Sequence, residues 1–168
     1  MATDWTDPTV ITAIGAGVLG AAATVWAGWW TVRRQKRKHS GVSVAVGIVQ
    51  KDKEVILVRR SKSEQGILWQ FPAGMVNPKR TAAETVVREV LEETGVTCTV
   101  IREIGQREHP ANGTNLVYFH CRYASGTLTN GDPQENSEVK WVTATEARNL
   151  ITSDVFAPLT GLLSAIEG

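Results

Sequence analysis

Residues 74–96 read GMVNPKRTAAETVVREVLEETGV. Thr81 followed by Glu84 makes a capping box, in which side chain and backbone satisfy each other at a helix N-terminus, so a helix is predicted to begin there. Thr94-Gly95 predicts its end, because glycine enters the left-handed conformation of a helix C-terminus without steric penalty. At about 100° per residue, Ala83, Val87, Val90 and Leu91 fall on one side of that helix. Glu89, Glu92 and Glu93 fall on the other, at i, i+3 and i+4, where each like-charge contact costs roughly 0.2–0.5 kcal/mol. Such a stripe is either a solvated acidic face or a site for Mg2+ or Mn2+. Hard cations take carboxylate oxygens and keep positions open for water and phosphate.

Strands flank this helix. Val42, Val44, Val46 and Ile48 alternate with smaller or polar residues, the period of a half-buried strand. Lys51-Asp52-Lys53 reads as a turn and residues 55–58 as the returning strand, ending in Arg59-Arg60. Residues 68–71 form a strand broken by Pro72-Ala73-Gly74; residues 96–101, 116–123 and 138–143 form three more. Short helices follow at 145–151 and near the C-terminus, giving a mixed α/β domain with no internal repeat. Cys98 and Cys121 lie in apolar strands, without metal-ligand spacing to each other or to His39, His109 or His120. They are expected to be reduced, buried thiols.

At 168 residues the chain holds one ordinary domain and an appendage. The 18 basic and 17 acidic residues are unevenly spread. Five bases form one run, Arg33, Arg34, Lys36, Arg37 and Lys38; setting these and Asp4 and Asp7 aside leaves 13 bases against 15 acids. A near-neutral domain of this kind is not built to bind nucleic acid by neutralising phosphates. The basic run follows 24 residues without a formal charge, Thr9 to Val32, which as a helix would span about 36 Å, enough to cross a bilayer. Trp26, Trp29 and Trp30 crowd its C-terminal end, where indole rings favour the headgroup region. A secretory signal would carry its bases before the apolar segment, and here they come after. The expected layout is a short extracytoplasmic tail (1–8), a transmembrane helix (9–32), a basic juxtamembrane segment (33–39) and a cytoplasmic domain (40–168) in a single-pass plasma- or inner-membrane protein. Thr12, Ala16, Gly20, Thr24 and Gly28 form a small-residue ridge that would let two such helices pack as a homodimer. Small residues are also common in single-pass helices.

The 74–96 stretch closely resembles the Nudix box: Gly, five residues, Glu, seven residues, Arg-Glu, an aliphatic residue, any residue, Glu-Glu, any residue, then Gly and an aliphatic residue. Gly74, Arg88-Glu89-Val90, Glu92-Glu93 and Gly95-Val96 all fall in register. Trp69-Gln70-Phe71-Pro72-Ala73-Gly74 resembles the strand and loop leading into the box, and Glu135 through Trp141 the acidic loop and tryptophan strand beyond it; the likeness covers residues 42 to 166. It implies a Nudix-type α/β/α sandwich with a mixed sheet. It also implies hydrolysis of a pyrophosphate linkage in a nucleoside diphosphate derivative by water on Mg2+ or Mn2+. Glu89 and Glu93 would be principal metal ligands, Glu92 would serve a second ion or its waters, and the Gly74 carbonyl would complete the shell. Arg88 would hold the glutamates by charge-assisted hydrogen bonds. Glu135, six residues before Trp141, matches a position that binds metal or places the water in some relatives; Glu138 is the nearby alternative.

One position departs from the pattern: Arg80 stands where the box has Glu, and where the helix dipole disfavours a cation by roughly 0.3–1 kcal/mol. Glu84 would then pair with Arg88 at i, i+4 in place of the missing acid, or Arg80 would reach substrate phosphate. A membrane-tethered nucleotide sensor without turnover is the alternative that Arg80 raises. Arg59 and Arg60 are further candidates for phosphate contact, or plain surface charge. Tyr118, Phe119 and Trp69 are candidates to stack on a base, or core residues. Phe71-Pro72-Ala73-Gly74 with Pro110 leans toward ADP-ribose-like substrates, whereas Glu108-His109-Pro110 and the 138–141 strand look as much like domains acting on oxidised dGTP, such as 8-oxo-dGTP.

Overall fold

A computed structural model describes residues 43–64, 67–109, 112–151 and 156–168. The apolar segment 9–32, the basic run and Pro110 lie outside these residues, and no helix among the described ones is long and apolar enough to cross a membrane. The domain opens with β1 (Ser43–Lys51) and β2 (Glu54–Glu64), joined by a tight turn in which Asp52 takes a left-handed φ of 54°. Aspartate tolerates that conformation better than most side chains. Then come β3 (Ile67–Gln70), β4 (Ala73–Met75), α1 (Ala82–Thr94), β5 (Thr97–Glu108), β6 (Asn115–Ser125), β7 (Asn136–Thr143), α2 (Ala144–Leu150) and α3 (Ala157–Glu167).

One mixed seven-stranded sheet runs in the order β3-β2-β1-β6-β5, with β4 paired to β1 and β7 to β2. β1 and β6 are parallel along eight rungs, from Ser43↔Asn115 to Gln50↔Arg122; the other pairings are antiparallel. β1 is not half-buried, as its alternation predicts: residues 44–49 are all buried, because both faces of the sheet are covered. Val44, Val46 and Ile48 pack with Val55, Leu57 and the apolar faces of α2 and α3 (Ala147, Leu159, Leu162, Leu163, Ile166). Ala45 and Val49 face the opposite layer with Ile56 and with Val86 and Val90 of α1. Gly47 lets α1 lie close, since a Cβ there would come within 2.7 Å of Val86 Cγ2. The expected α/β/α sandwich is thus realised. Both cysteines are free and buried in the α1 layer, and the Cys121 thiol lies 3.9 Å from the Phe119 carbonyl.

Two elements differ from their sequence reading. Pro72-Ala73-Gly74 does break the strand, but the chain resumes at once as β4, whose Gly74 sits opposite Ala45 of β1. The N-terminal half of β1 has a free edge there, since β2 pairs with β1 only near the turn. Helix α1 has the predicted ends: Thr81 N–H donates to Glu84 Oε2 at 2.8 Å, Glu84 N–H donates to Thr81 Oγ1 at 3.1 Å, and Gly95 closes it at φ 67°. Its buried stripe is rotated, however. Thr85, Val86, Val90, Glu93 and Thr94 face inward, while Leu91 is 49% exposed. Glu93 falls on the valine side because i, i+4 and i+7 lie along one helix face.

Candidate functional site

Glu93 is the site's centre. It is only 5% exposed, the Ala73 amide donates to its carboxylate, and its Oε2 has no hydrogen-bond partner. Burial first, then the nearby charges of Glu135 and Glu89, push its carboxyl well above the ordinary carboxylate range; Arg60 and the Ala73 amide oppose the rise. Glu89 is raised too, again by burial first, with Arg88 opposing and Glu92 and Glu135 adding. Gly74 is required by contact: a Cβ built on it would overlap the Glu89 carboxylate. The turn from β3 to β4 therefore presents bare backbone to one glutamate and an amide donor to the next.

Arg88 is the clamp the resemblance implies. Its two terminal nitrogens go to Glu89 and Glu92, one and four residues further along α1. Burial opposes its charge, but hydrogen bonds and attraction from both glutamates leave the guanidinium held more tightly than usual. Glu92 is turned outward, its side chain 55% exposed. The expected Glu84–Arg88 pair does not form. Glu84 is spent on the capping box, which keeps its carboxylate at Thr81, and Arg88 already has two partners. Arg80 is exposed, and the charge it acts on is that of Glu84 rather than those of Glu89 and Glu93.

Glu135 joins from another part of the chain. Thr129 N–H donates to Thr94 O at 2.9 Å and Gly131 N–H to Glu93 O at 3.0 Å, so the 126–135 loop caps carbonyls that the end of α1 leaves unpaired. A Cβ on Gly131 would strike the Glu92 carbonyl. The loop then turns on Asp132, which accepts from the Glu135 and Asn136 amides. Glu135 is thereby delivered to Arg60 of β2, with which it forms an ion pair. The other candidate acid, Glu138, is exposed on β7 opposite Arg59, and adjacent strand residues point to opposite faces, so Arg59 turns away from Arg60.

Glu89, Glu93, Glu135, Arg60, Arg88 and Gly74 thus come together, whereas Arg59, Arg80 and Glu138 do not join them. Tyr118 and Phe119 are core residues; Tyr118 stacks with Phe156 at 5.2 Å. Trp69 is partly buried, with Lys140 Nζ 4.7 Å from its ring centre. Among the described residues no three acidic, histidine or cysteine side chains form a ready metal cage. Arg88 draws on Glu89 and Glu92, and Arg60 on Glu135. The residues nevertheless fit a divalent cation, because a buried carboxylate with an unpaired oxygen, under the charges of two more carboxylates, is a poor arrangement without added positive charge.

The α/β/α sandwich thus gathers carboxylates and arginines around a glycine turn beside α1, a set suited to the hydrolysis of phosphoric anhydrides once a cation is held. The NUDIX domain model matches residues 38–158, and the chain belongs to that family. It is similar to the CTP pyrophosphohydrolase of Escherichia coli (strain K12), 25% identical over 130 residues that cover 75% of this chain and 93% of that protein. A MutT-like protein of Streptomyces ambofaciens is 30% identical over 77% of this chain and 79% of its own. The putative nudix hydrolase 1 of Caenorhabditis elegans is 34% identical over 64% of this chain, a match spanning only 31% of that longer protein. Among solved structures, a NUDIX hydrolase from Nitrosomonas europaea shares the fold at a TM-score of 0.65 and 20% identity, covering 76% of this chain and 73% of that one. The chain is a Nudix pyrophosphohydrolase by family.

Proposed function

We propose that this protein is a membrane-anchored, Mg2+- or Mn2+-dependent hydrolase of the pyrophosphate linkage in a nucleoside triphosphate such as 8-oxo-dGTP, or in an ADP-ribose-like diphosphate. The observation that carries the reading is the buried Glu93 carboxylate, its Oε2 unpaired and the group within reach of the charges of Glu89 and Glu135. Glu89, Glu93 and the Gly74 carbonyl would hold the cation, with Glu92 and Glu135 serving a second ion or its waters. A bound cation supplies neutralisation of phosphate charge and water acidified enough to attack. The chain's own part is to keep the carboxylates apart and oriented through Arg88 and Arg60, and to offer a carboxylate that takes the attacking water's proton. The relatives named for CTP and for 8-oxo-dGTP support a nucleoside triphosphate as the first substrate to test. The apolar segment at 9–32 and the bases behind it support the anchor and the cytoplasmic placement.

The test is a nucleotide panel including CTP, 8-oxo-dGTP and ADP-ribose, with Mg2+ and without it, reading phosphate released after phosphatase coupling. Metal-dependent turnover of one class above the others is expected. Tight binding of a nucleotide with no turnover of any would replace the hydrolase with the sensor that Arg80 raises.

A further inference from the structure

An open pocket of about 550 Å3 lies against the last residues of β1 and the second half of β6. Ala45 of β1 sits opposite Gly74, and Gln50 follows it by five residues, about 16 Å at roughly 3.3 Å per residue along a strand. The pocket is therefore separate from the carboxylates at the Gly74 turn. Gln50 and Arg122 are partners on the last rung of the unbroken β1–β6 ladder, and His120 precedes Arg122 by two residues, so the three share a face. All three line the pocket, together with Lys51, Tyr123 and the exposed Ile101.

Gln50 fixes the His120 ring. Its Nε2 donates to Asp52 O at 2.7 Å, which leaves its Oε1 to meet His120 Nε2 at 2.8 Å. An amide oxygen only accepts, so His120 carries its proton on Nε2, and Nδ1 is the nitrogen left for a ligand. The setting is positive. Burial first, then the charges of Arg102 and Arg122, hold the imidazole below its ordinary value, with no carboxylate among the causes. Asp52 is the one acid in the lining. Arg60, Arg88, Lys140 and Arg148 each have a carboxylate partner, whereas Arg102 and Arg122 have none among the described residues. Lys51, its Nζ 4.9 Å from the Tyr123 ring centre, adds a further positive charge. In a domain with more acids than bases, uncompensated positive charge gathered around one pocket calls for an anion.

We infer that this pocket is a binding site for a phosphate group, distinct from the hydrolytic centre. A carboxylate carries one charge, whereas a phosphate dianion answers both arginines at once, and guanidinium forks match its oxygens. Arg102 and Arg122 donate to those oxygens, and His120, protonated at Nδ1 beside the anion, donates a third bond. No divalent cation is needed, so the site stands independently of the hydrolase reading. The phosphate has two possible sources, a soluble phosphate compound or the headgroup of an anionic lipid.

Inorganic phosphate is titrated into the full-length chain in phosphatidylcholine nanodiscs with EDTA present, and the histidine side chains are followed by NMR. Chloride holds the ionic strength constant, which removes general screening from the comparison. The chain has three histidines, and the signal lost in His120→Gln is that of His120. A saturable shift of the His120 signal is expected, with a rise in the pH at which it titrates. Arg102→Gln and Arg122→Gln, both at exposed positions, should each weaken phosphate binding at least about fivefold while leaving the melting temperature in place. Phosphatidic acid added to the nanodisc distinguishes the sources. A His120 shift without added phosphate assigns the site to a lipid headgroup, and a shift only with added phosphate assigns it to a soluble compound. A His120 signal that responds to neither, or a phosphate affinity that the two substitutions together leave unchanged, overturns the inference.

Discussion

Glu93 and Glu89 hold their protons more tightly in the folded protein than in the unfolded chain, because burial and neighbouring carboxylates disfavour their charged forms. The sign follows from linkage. A carboxyl raised above its ordinary value of 4.5 contributes stability that is present below that value and lost as pH rises through the folded one. Metal-free protein should therefore lose stability between about pH 5 and about pH 7.5 relative to Glu93→Gln, which has no proton to give up there. Urea melts of both proteins at the two pH values check this, and parallel curves would remove the centre from the balance. Under turnover conditions the same substitution works the other way. Glu93→Gln and Glu89→Gln should each slow hydrolysis at least about tenfold, a loss of at least about 1.4 kcal/mol of transition-state stabilisation. Unchanged kcat/KM in both would return the stripe to a solvated face. The three glutamates, Gly74 and Arg88 were legible from spacing and family pattern because they lie on one helix and the turn before it. The partnership of Arg60 with Glu135 was not, since sequence cannot say which distant loop meets which strand. Nor was the inward turn of Glu93, which apolar periodicity places on the wrong side by counting Leu91 as core.

At the scale of elements, the 126–135 loop matters as much as α1. It supplies backbone donors to the Glu93 and Thr94 carbonyls and carries Glu135 to β2, so lifting it should damage the site without touching a catalytic side chain. Gly131→Ala tests this: its Cβ would collide with the Glu92 carbonyl, and overpacking of this kind costs about 1–3 kcal/mol. A lower melting temperature and a fall in kcat are both expected. Gly161→Ala is the matched control, because α3 leaves open space there and alanine favours a helix interior by about 0.5–1 kcal/mol. It should stabilise the protein and leave kcat alone. Equal effects of the two substitutions on kcat would show that the loop does not position Glu135. The helix was readable because its signals are local, a capping box and a terminal glycine. β4 was not: three residues carry no period, and the strand exists only because β1 offers a free edge. The same blindness explains why β1 read as half-buried, for nothing in its alternation reveals that a second layer of helix covers its other face.

At the scale of the whole molecule, charge divides the chain. The described domain is one compact unit beginning at residue 41, and every residue assigned here to the hydrolytic centre lies within it. The five bases from Arg33 to Lys38 and the 24 uncharged residues before them lie outside the described residues, and the work proposed for them, on their charge and length, is at a bilayer. If residues 9–32 span the membrane, full-length protein should stay with membranes through carbonate extraction, and a chain beginning at Ser40 should not. A reporter fused after Gly168 should behave as cytoplasmic, because bases gather on the cytoplasmic side of a first span and the acids Asp4 and Asp7 lie on the other. Replacing Arg33, Arg34, Lys36, Arg37 and Lys38 by Gln should weaken that preference and yield a mixed population of orientations, while leaving extraction unchanged, since insertion depends on apolar length rather than flanking charge. Full-length protein released by carbonate would overturn the anchor itself. An extracytoplasmic reporter on wild type would overturn the orientation, and with it the access of the Glu93 centre to cytoplasmic nucleotides.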